Sequence, residues 1–197
     1  MDAGLNLYDF DNTIYDGETT FDFFMFCLKR RPALIKYLHK LVVNLIKYKF
    51  CLVSKDKLEK LLQENFAGVI KICPDFEEFT ELFWKEKYYK IKPIFRDMLK
   101  EDDVIVSASF DFLLKPACEK LGVKKLICSH IDMGTGKVIQ LCYRENKPDL
   151  FLKMFPDTQP ENFYTDSKND LPLMKICKHN WYVKGNKIVP VTERNLK

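Results

Sequence analysis

Asp9 and Asp11 are the residues of this chain best placed to do chemistry. They stand in Asp9-Phe10-Asp11-Asn12-Thr13, directly after the short apolar run Leu5-Asn6-Leu7-Tyr8. Residues two apart on an extended strand point the same way, so a strand over residues 5–9 projects both carboxylates from its carboxyl end. Open α/β sheets bind their ligands at that end. Two carboxylates so close repel each other, and a proton on one or a cation between them relieves the repulsion. One state offers a proton to donate, the other a site for a metal.

The elements needed to position such a pair are readable further along. After residue 16 the apolar spacing is helical, with helices over 21–29 and 33–49 and Pro32 near a helix start. Ser54 is a candidate N-cap for a helix over 55–65, and a Glu- and aromatic-rich helix follows over 74–89. Phe21, Phe23, Phe24 and Phe26 read as the core of this block and a wall facing the site. From residue 90 the pattern changes. A short helix over 93–100 opens on Pro93, followed by a strand over 104–106 and a helix over 110–121 that Gly122 ends. A strand over 125–129 leads to a hairpin turn at Gly134-Thr135-Gly136. Then come a helix over 148–155, a strand over 162–165, a helix over 171–177 and a strand over 181–183. This alternation predicts an α/β fold with a Rossmann-like core, a mostly parallel doubly wound sheet, and an all-helical cap inserted after the first strand. The expected division is a catalytic core over 1–15 and 90–197 and a cap over 16–89.

Three further sites fall near strand ends in that topology. Ser107 follows the 104–106 strand, Lys147 precedes the 148–155 helix, and Asp166-Ser167-Lys168-Asn169-Asp170 follows the 162–165 strand. Singly, each has an ordinary structural reading: Ser107 as the N-cap of the next helix, Lys147 as a solvated lysine. Together, four carboxylates, a hydroxyl and an ammonium suit phosphoryl transfer. Asp9 would attack phosphorus as a nucleophile, and Asp11 would protonate the leaving oxygen and then activate water. Asp166 and Asp170, with Asp9 and a backbone carbonyl, would hold a hard divalent cation, Mg²⁺. That cation lets an anionic nucleophile approach an anionic phosphate. Ser107 and Lys147 would bind the remaining phosphate oxygens.

Asp-x-Asp-x-Thr after a strand, a strand-ending Ser, a Lys and Asp-Ser-x-Asn-Asp, in that order, resemble the haloacid dehalogenase superfamily. Within it the chain is most similar to the phosphoserine phosphatase-like branch, whose helical cap follows the first motif. The resemblance spans the whole chain. It implies a Mg²⁺-dependent aspartyl-phosphate mechanism with Asp9, Asp11, Ser107, Lys147, Asp166 and Asp170 in the roles above. It further implies the main-chain carbonyl of Asp11 as a metal ligand, Asp170 acting mainly through metal-bound water, and Asn169 ordering the phosphate and metal shell. In that superfamily dehalogenases lack a carboxylate at the position of Asp11 while phosphatases and phosphomutases keep it, so its presence argues against dehalogenation. Glu18 matches an acidic residue with which phosphoserine phosphatases meet the substrate amine, although an acid in a helix's first turn is common on other grounds. Two features depart from the branch. Ala108-Ser109 stands where Gly-Gly is usual, and no Arg matches the one that binds the substrate carboxylate, leaving Lys49, Lys55 and Lys57 as candidates. The expected substrate is a small phosphorylated metabolite, phosphoserine or another amine-bearing phosphomonoester, contacted by Glu18, Ser107, Ala108, Lys147 and Asn169. A phosphotransferase or mutase with the same intermediate, and a binding protein without turnover, are the alternatives.

Composition narrows the classes. Of 197 residues 47% are hydrophobic, enough for a packed core, and the net charge of +4 is too mild for a nucleic-acid binder. Seven cysteines, none in Cys-x-x-Cys, fit reduced thiols in a cytoplasmic protein better than a disulfide framework. With Asp9 so close to the first residue, no removable leader is expected. The most apolar stretch, 34–53, is broken by Lys36, Lys40, Lys47 and Lys49, so no transmembrane span is expected. Residues 29–60 hold ten Lys or Arg against Asp56 and Glu59. This is either a solvated helix face or an attraction for a phosphate substrate or an anionic membrane. His39, His130 and His179 have no metal-ligand spacing. No cysteine-phosphatase loop, ATP-binding P-loop or His-Glu-x-x-His occurs.

Overall fold

The computed structural model describes residues 4–49, 54–73 and 75–192. The chain opens with β1 (Asn6–Tyr8), whose side chains divide between the two faces of the sheet as strand alternation requires. Leu7 joins a cluster with Val104, Val106, Phe151, Phe163 and Leu173, while Tyr8 packs on the opposite face with Ile105 and Phe95. Four helices follow: α1 (Thr19–Arg30), α2 (Ile35–Lys49), α3 (Lys55–Ile72) and α4 (Phe76–Lys87). The short α5 (Pro93–Met98) leads to β2 (Val104–Phe110), α6 (Asp111–Leu121) and β3 (Lys125–Ile131). The chain then forms β4 (Val138–Gln140), α7 (Asn146–Met154), β5 (Asn162–Thr165), α8 (Leu171–Met174), β6 (His179–Lys184) and β7 (Lys187–Pro190).

These strands make one seven-stranded sheet in the order β4-β3-β2-β1-β5-β6-β7. The five inner strands are parallel, and β4 and β7 pair antiparallel at the two edges. The chain builds outward from β1 through β2 to β3, then returns to place β5 on the other side of β1. The switch point is therefore between β1 and β5, where the carboxyl ends of neighbouring strands open a crevice. Asp9 N–H donates to the Tyr164 carbonyl across that junction, at 2.9 Å.

Several local expectations need revision. The strand expected over 104–106 continues to Phe110, with a register shift between Val106 and Phe110. Phe110 then takes the N-cap position of α6 without a side-chain bond, so Ser107 does not cap that helix. The helix expected over 55–65 runs on to Ile72, because Phe66 and Val69 bury against the same aromatic core. Lys147 lies within the first turn of α7 rather than before it. The edge strand β7 was not foreseen; it is short and contains Pro190, which only an edge or a strand end tolerates. Pro74, the expected start of the fourth helix, and residues 50–53 of the apolar stretch lie outside the described residues. The caps at Ser54, which accepts from Lys57 N–H, and at Gly122 (φ 72°) are as expected. Among the described residues no helix is long and apolar enough to cross a membrane, and the six described cysteines are free and buried.

The helical block shares its core with the sheet. Phe23, Phe26, Phe66, Phe83 and Trp84 belong to one buried cluster with Phe10, Tyr15, Phe110 and Leu113. Trp84 is the hub. Its ring meets Phe10, Tyr15 and Phe83 edge-on at centroid distances of 6.1, 5.7 and 5.1 Å, and Nε1 donates to the Leu113 carbonyl at 2.6 Å. One side chain thus ties α4 to α6 and to the loop that carries the two aspartates. Trp84→Ala is expected to lower unfolding stability by about 3–5 kcal/mol in urea titrations. A loss under about 1 kcal/mol would deny Trp84 this bridging role.

Candidate active site

Two hydrogen-bonded networks form at the carboxyl ends of β1, β2 and β5. The first is centred on Lys147. Its Nζ lies 2.9 Å from Asp9 Oδ1 and 2.7 Å from Asp170 Oδ1, and all three side chains are buried. Thr165 Oγ1 donates to the other Asp170 oxygen at 2.7 Å, which orients that carboxylate. Burial pushes the Asp9 carboxyl well above the usual carboxylate range; the charges of Asp170 and Asp166 add to this, and Lys147 opposes it. Burial pulls the Lys147 ammonium down, but the charges of Asp170 and Asp9 more than offset it and hold the group above its ordinary value. One lysine thus bridges two buried carboxylates, and Asp166 acts on Asp9 as a third.

The second network is centred on Asp11, which is half-buried. Its Oδ1 accepts from the Thr19 N–H at 2.7 Å and from the Thr19 hydroxyl, and its Oδ2 accepts from Ser109 Oγ at 2.7 Å. Thr19 is the first residue of α1, and Glu18 at the N-cap position makes no side-chain cap bond. Asp11 therefore satisfies an amide that the helix N-terminus leaves open. Burial raises the Asp11 carboxyl; the Thr19 bond lowers it, Glu18's charge raises it further, and Ser109 lowers it. Asp9 and Asp11 share no hydrogen-bond partner, so the two carboxylates of the motif sit in different surroundings.

The turn from Asp11 to α1 needs unusual backbone. Asn12 has φ 57°, a left-handed conformation that Asn tolerates better than most residues, and its N–H donates to the Gly17 carbonyl at 2.9 Å. Gly17 has φ 135°, and a Cβ there would lie 2.8 Å from Lys90 Nζ. Lys92, which the sequence reading missed, is buried and donates from Nζ to the Asn12 carbonyl. Burial pulls its ammonium below the ordinary range, against the charges of Asp16 and Asp166.

The other expected site residues fall as follows. Ser107 is fully buried, and its Oγ accepts from Ser109 N–H at 3.1 Å, which joins it to the Asp11 network. The Ala108 carbonyl accepts from Ser129 Oγ at 2.7 Å. Asn169 Oδ1 accepts from Arg144 at 2.9 Å. Asp166 is exposed beside the first network and acts on Asp9 through its charge. Glu18 is not drawn into that network; it is exposed, and its Oε1 accepts from Asn12 Nδ2 at 3.0 Å. Lys57 is exposed, and the side chains of Lys49 and Lys55 lie outside the described residues. Thr13 Oγ1 is buried without a hydrogen-bond partner among the described residues. Besides Lys92, the sequence reading missed Thr19, Ser109 and Arg144. Ser109 carried a signal: it lies two residues beyond Ser107 on β2, the spacing that puts residues on one face of a strand.

With Lys147 Nζ standing between Asp9 and Asp170, no group of three His, Cys, Asp or Glu side chains among the described residues is arranged as a metal site. The chemistry of the donor set fits a hard divalent cation all the same. Asp9, Asp166 and Asp170 offer carboxylate oxygens, and the charges of Asp170 and Asp166 both act on Asp9.

A family model described as haloacid dehalogenase-like hydrolase matches residues 7–175. The chain belongs to this family. The match runs from β1 through the Asp166–Asp170 loop and so includes both networks of this haloacid dehalogenase-like hydrolase. Solved structures share its fold. A Bordetella pertussis protein of unknown function aligns with TM-score 0.71 at 18% identity, covering 89% of this chain and 87% of its own. A phosphoserine phosphohydrolase-like protein from Francisella tularensis aligns with TM-score 0.55 at 13% identity, covering 90% and 85%. A substrate-bound phosphoserine phosphatase aligns with TM-score 0.52 at 15% identity, covering 91% and 85%. A comparison with curated proteins found no match.

The buried trio yields a stability test. A carboxyl whose value is raised by folding binds its proton more tightly in the folded state, so its contribution is present at low pH and lost as pH rises through the raised value. Lys147→Met removes the cation that opposes this. The variant should be less stable than wild type by about 3–5 kcal/mol near pH 8, with a smaller deficit near pH 5, in metal-free urea titrations. A deficit independent of pH would contradict the charge account.

Proposed function

We propose that this chain is a phosphomonoester hydrolase that works through an aspartyl-phosphate on Asp9, with residues 16–89 serving as a cap over a core formed by 1–15 and 90–197. The observation that carries this reading is the Lys147 ammonium held between buried Asp9 and Asp170 at the switch point of the sheet. An Asp9 oxygen attacks phosphorus, the bond from phosphorus to the leaving oxygen breaks, and Asp11 protonates that oxygen. Water then attacks the phosphorus of the acyl-phosphate and gives a proton to Asp11, and the bond from phosphorus to the Asp9 oxygen breaks. Inorganic phosphate leaves, and both aspartates return to their starting states.

The geometry supports this division of labour. A lysine ammonium has three donors, and two are spent on Asp9 and Asp170, leaving one for a phosphate oxygen. Ser107 Oγ accepts from Ser109 N–H, so its own proton is available to the phosphate. Asn169, beside Asp170, and Ala108, beside Ser107, complete the expected lining. The upward direction of the shift at Asp11, caused first by burial, suits a group that must carry a proton. Asp9, Asp166, Asp170 and the Asp11 carbonyl would hold Mg²⁺, which supplies positive charge against the anionic phosphate and keeps Asp9 ionised. The cap reading rests on α1, whose first residues Thr19 and Thr20 touch Asp11 and Ser109. A helix so joined to the acid–base group can couple closure over the substrate to its position. Glu18 is the candidate contact for a substrate amine, so the proposed substrates are phosphoserine and other amine-bearing phosphomonoesters.

Phosphate release from phosphoserine, phosphoethanolamine, phosphocholine, sugar phosphates and nucleotides tests the reading. Release should require Mg²⁺, stop with chelator, and be abolished in folded Asp9→Asn; turnover by that variant would overturn the mechanism. A second test concerns pH. Ser109→Ala removes a hydrogen bond that favours the Asp11 carboxylate, so the protonated acid persists to higher pH. The alkaline limb of the kcat profile should move up by about one unit. An unmoved or lowered limb would remove Asp11 from the acid role.

A further inference from the structure

The net positive charge of this chain comes from one region. Residues 29–60 carry ten Lys or Arg and two acids, a balance of +8, while the whole chain is only +4, so the rest of the chain is net −4. Arg30 and Arg31 are spent on Glu86 and Asp75. Lys29, Lys36, Lys40, Lys47, Lys57 and Lys60 are exposed, and none forms an ion pair among the described residues. A charge face kept soluble for its own sake is usually laced with acids, yet α2 contains no Asp or Glu.

The face of α2 is also partly apolar. Ile35 and Val43 are 50% and 45% exposed, and they stand among the exposed Lys36, His39, Lys40 and Lys47. At 100° per residue these six positions span about 140° of the helix surface. Tyr37 turns the other way, against Gly68 of α3 and the aromatic core. Exposed aliphatic side chains set between long basic ones match a bilayer interface, where the aliphatic groups enter the acyl boundary and lysines reach the headgroups. A nucleic-acid surface would rather interleave its cations with Phe, Tyr or Trp rings for stacking, and the described residues of this face expose none of these.

We propose that the exposed face of α2 docks on an anionic lipid bilayer, with Lys36, Lys40 and Lys47 against the headgroups and Ile35 and Val43 at the acyl boundary. The inference does not depend on the proposed hydrolysis, because its readout is binding. The full chain is titrated with vesicles of phosphatidylglycerol mixed with phosphatidylcholine and, in parallel, with pure phosphatidylcholine and with a single-stranded oligonucleotide. Binding should occur on the anionic vesicles and weaken with salt. Lys36→Gln/Lys40→Gln/Lys47→Gln should weaken it about a hundredfold, at about fivefold per lysine. Ile35→Ser/Val43→Ser should weaken it as well, with the helical content of both variants unchanged by circular dichroism. Hydrolysis of a soluble phosphomonoester, where wild type performs it, should be unaffected in either variant. No binding to anionic vesicles, equal binding by the lysine variant, an aliphatic variant that binds like wild type, or binding to the oligonucleotide alone would each overturn the proposal.

Discussion

A buried ammonium shared by two buried carboxylates is the interaction on which this site depends. Charges removed from water are tolerated only when their partners are close and well oriented. Asp9 at the end of β1, Lys147 in the first turn of α7 and Asp170 after β5 must therefore converge, although they are far apart in sequence. That requirement accounts for the second connection in the sheet. The chain leaves β3, forms the edge strand β4, and returns through α7 so that β5 can lie beside β1. Thr165, the last residue of β5, completes the arrangement by orienting Asp170.

Asp11 imposes a second constraint, between the sheet and the helices. Its carboxylate caps α1 through Thr19 and holds Ser109 of β2, so one side chain registers the helical block against the strand that carries Ser107. Tyr15 and Lys90 reinforce the same junction by both bonding Asp22 on α1. Trp84 packs beneath it against Phe10 and Tyr15. The loop from Phe10 to Gly17 is thus clamped on both sides, which supports the left-handed turn at Asn12. Where α1 sits and where the Asp11 carboxylate points are therefore one structural fact, and any movement of α1 would be felt at Asp11.

The sheet was legible because its inner strands are short runs of apolar residues between helices, a pattern that parallel strands buried on both faces must show. Asp9, Lys147 and Asp170 were legible because residues that recur in a fixed order carry more information than any one of them. Ser109 and Thr19 were not, since Ser and Thr are ordinary in strands and helix starts; only the three-dimensional approach of β2 and α1 makes them partners of Asp11. Lys92 escaped for a similar reason. Its sequence neighbours are a helix start, while its partner carbonyl on Asn12 is eighty residues away. The length of β2 was misjudged because Ser107-Ala108-Ser109 lacks β-branched or aromatic side chains, and pairing with β3 through Phe110 and Ser129 overrides that weak propensity.

The two aspartates of the motif are identical in chemistry and two residues apart, so only their surroundings can give them different work. Asp9 lies among charges: one ammonium in contact and two further carboxylates acting on it. Asp11 is bonded to two hydroxyls and an amide, with no cation in contact. A cation added near Asp9 acts directly on that carboxylate and stabilises its anion, which is the form a nucleophile needs. Near Asp11 the bonds from Thr19 and Ser109 stabilise the carboxylate without neutralising it, so its proton comes and goes with less disturbance of its neighbours. Environments that separate two like groups in this way are how one fold assigns an acid and a nucleophile from the same residue type. The assignment proposed for Asp9 and Asp11 rests on that asymmetry, which reversing the two roles would leave without a physical cause.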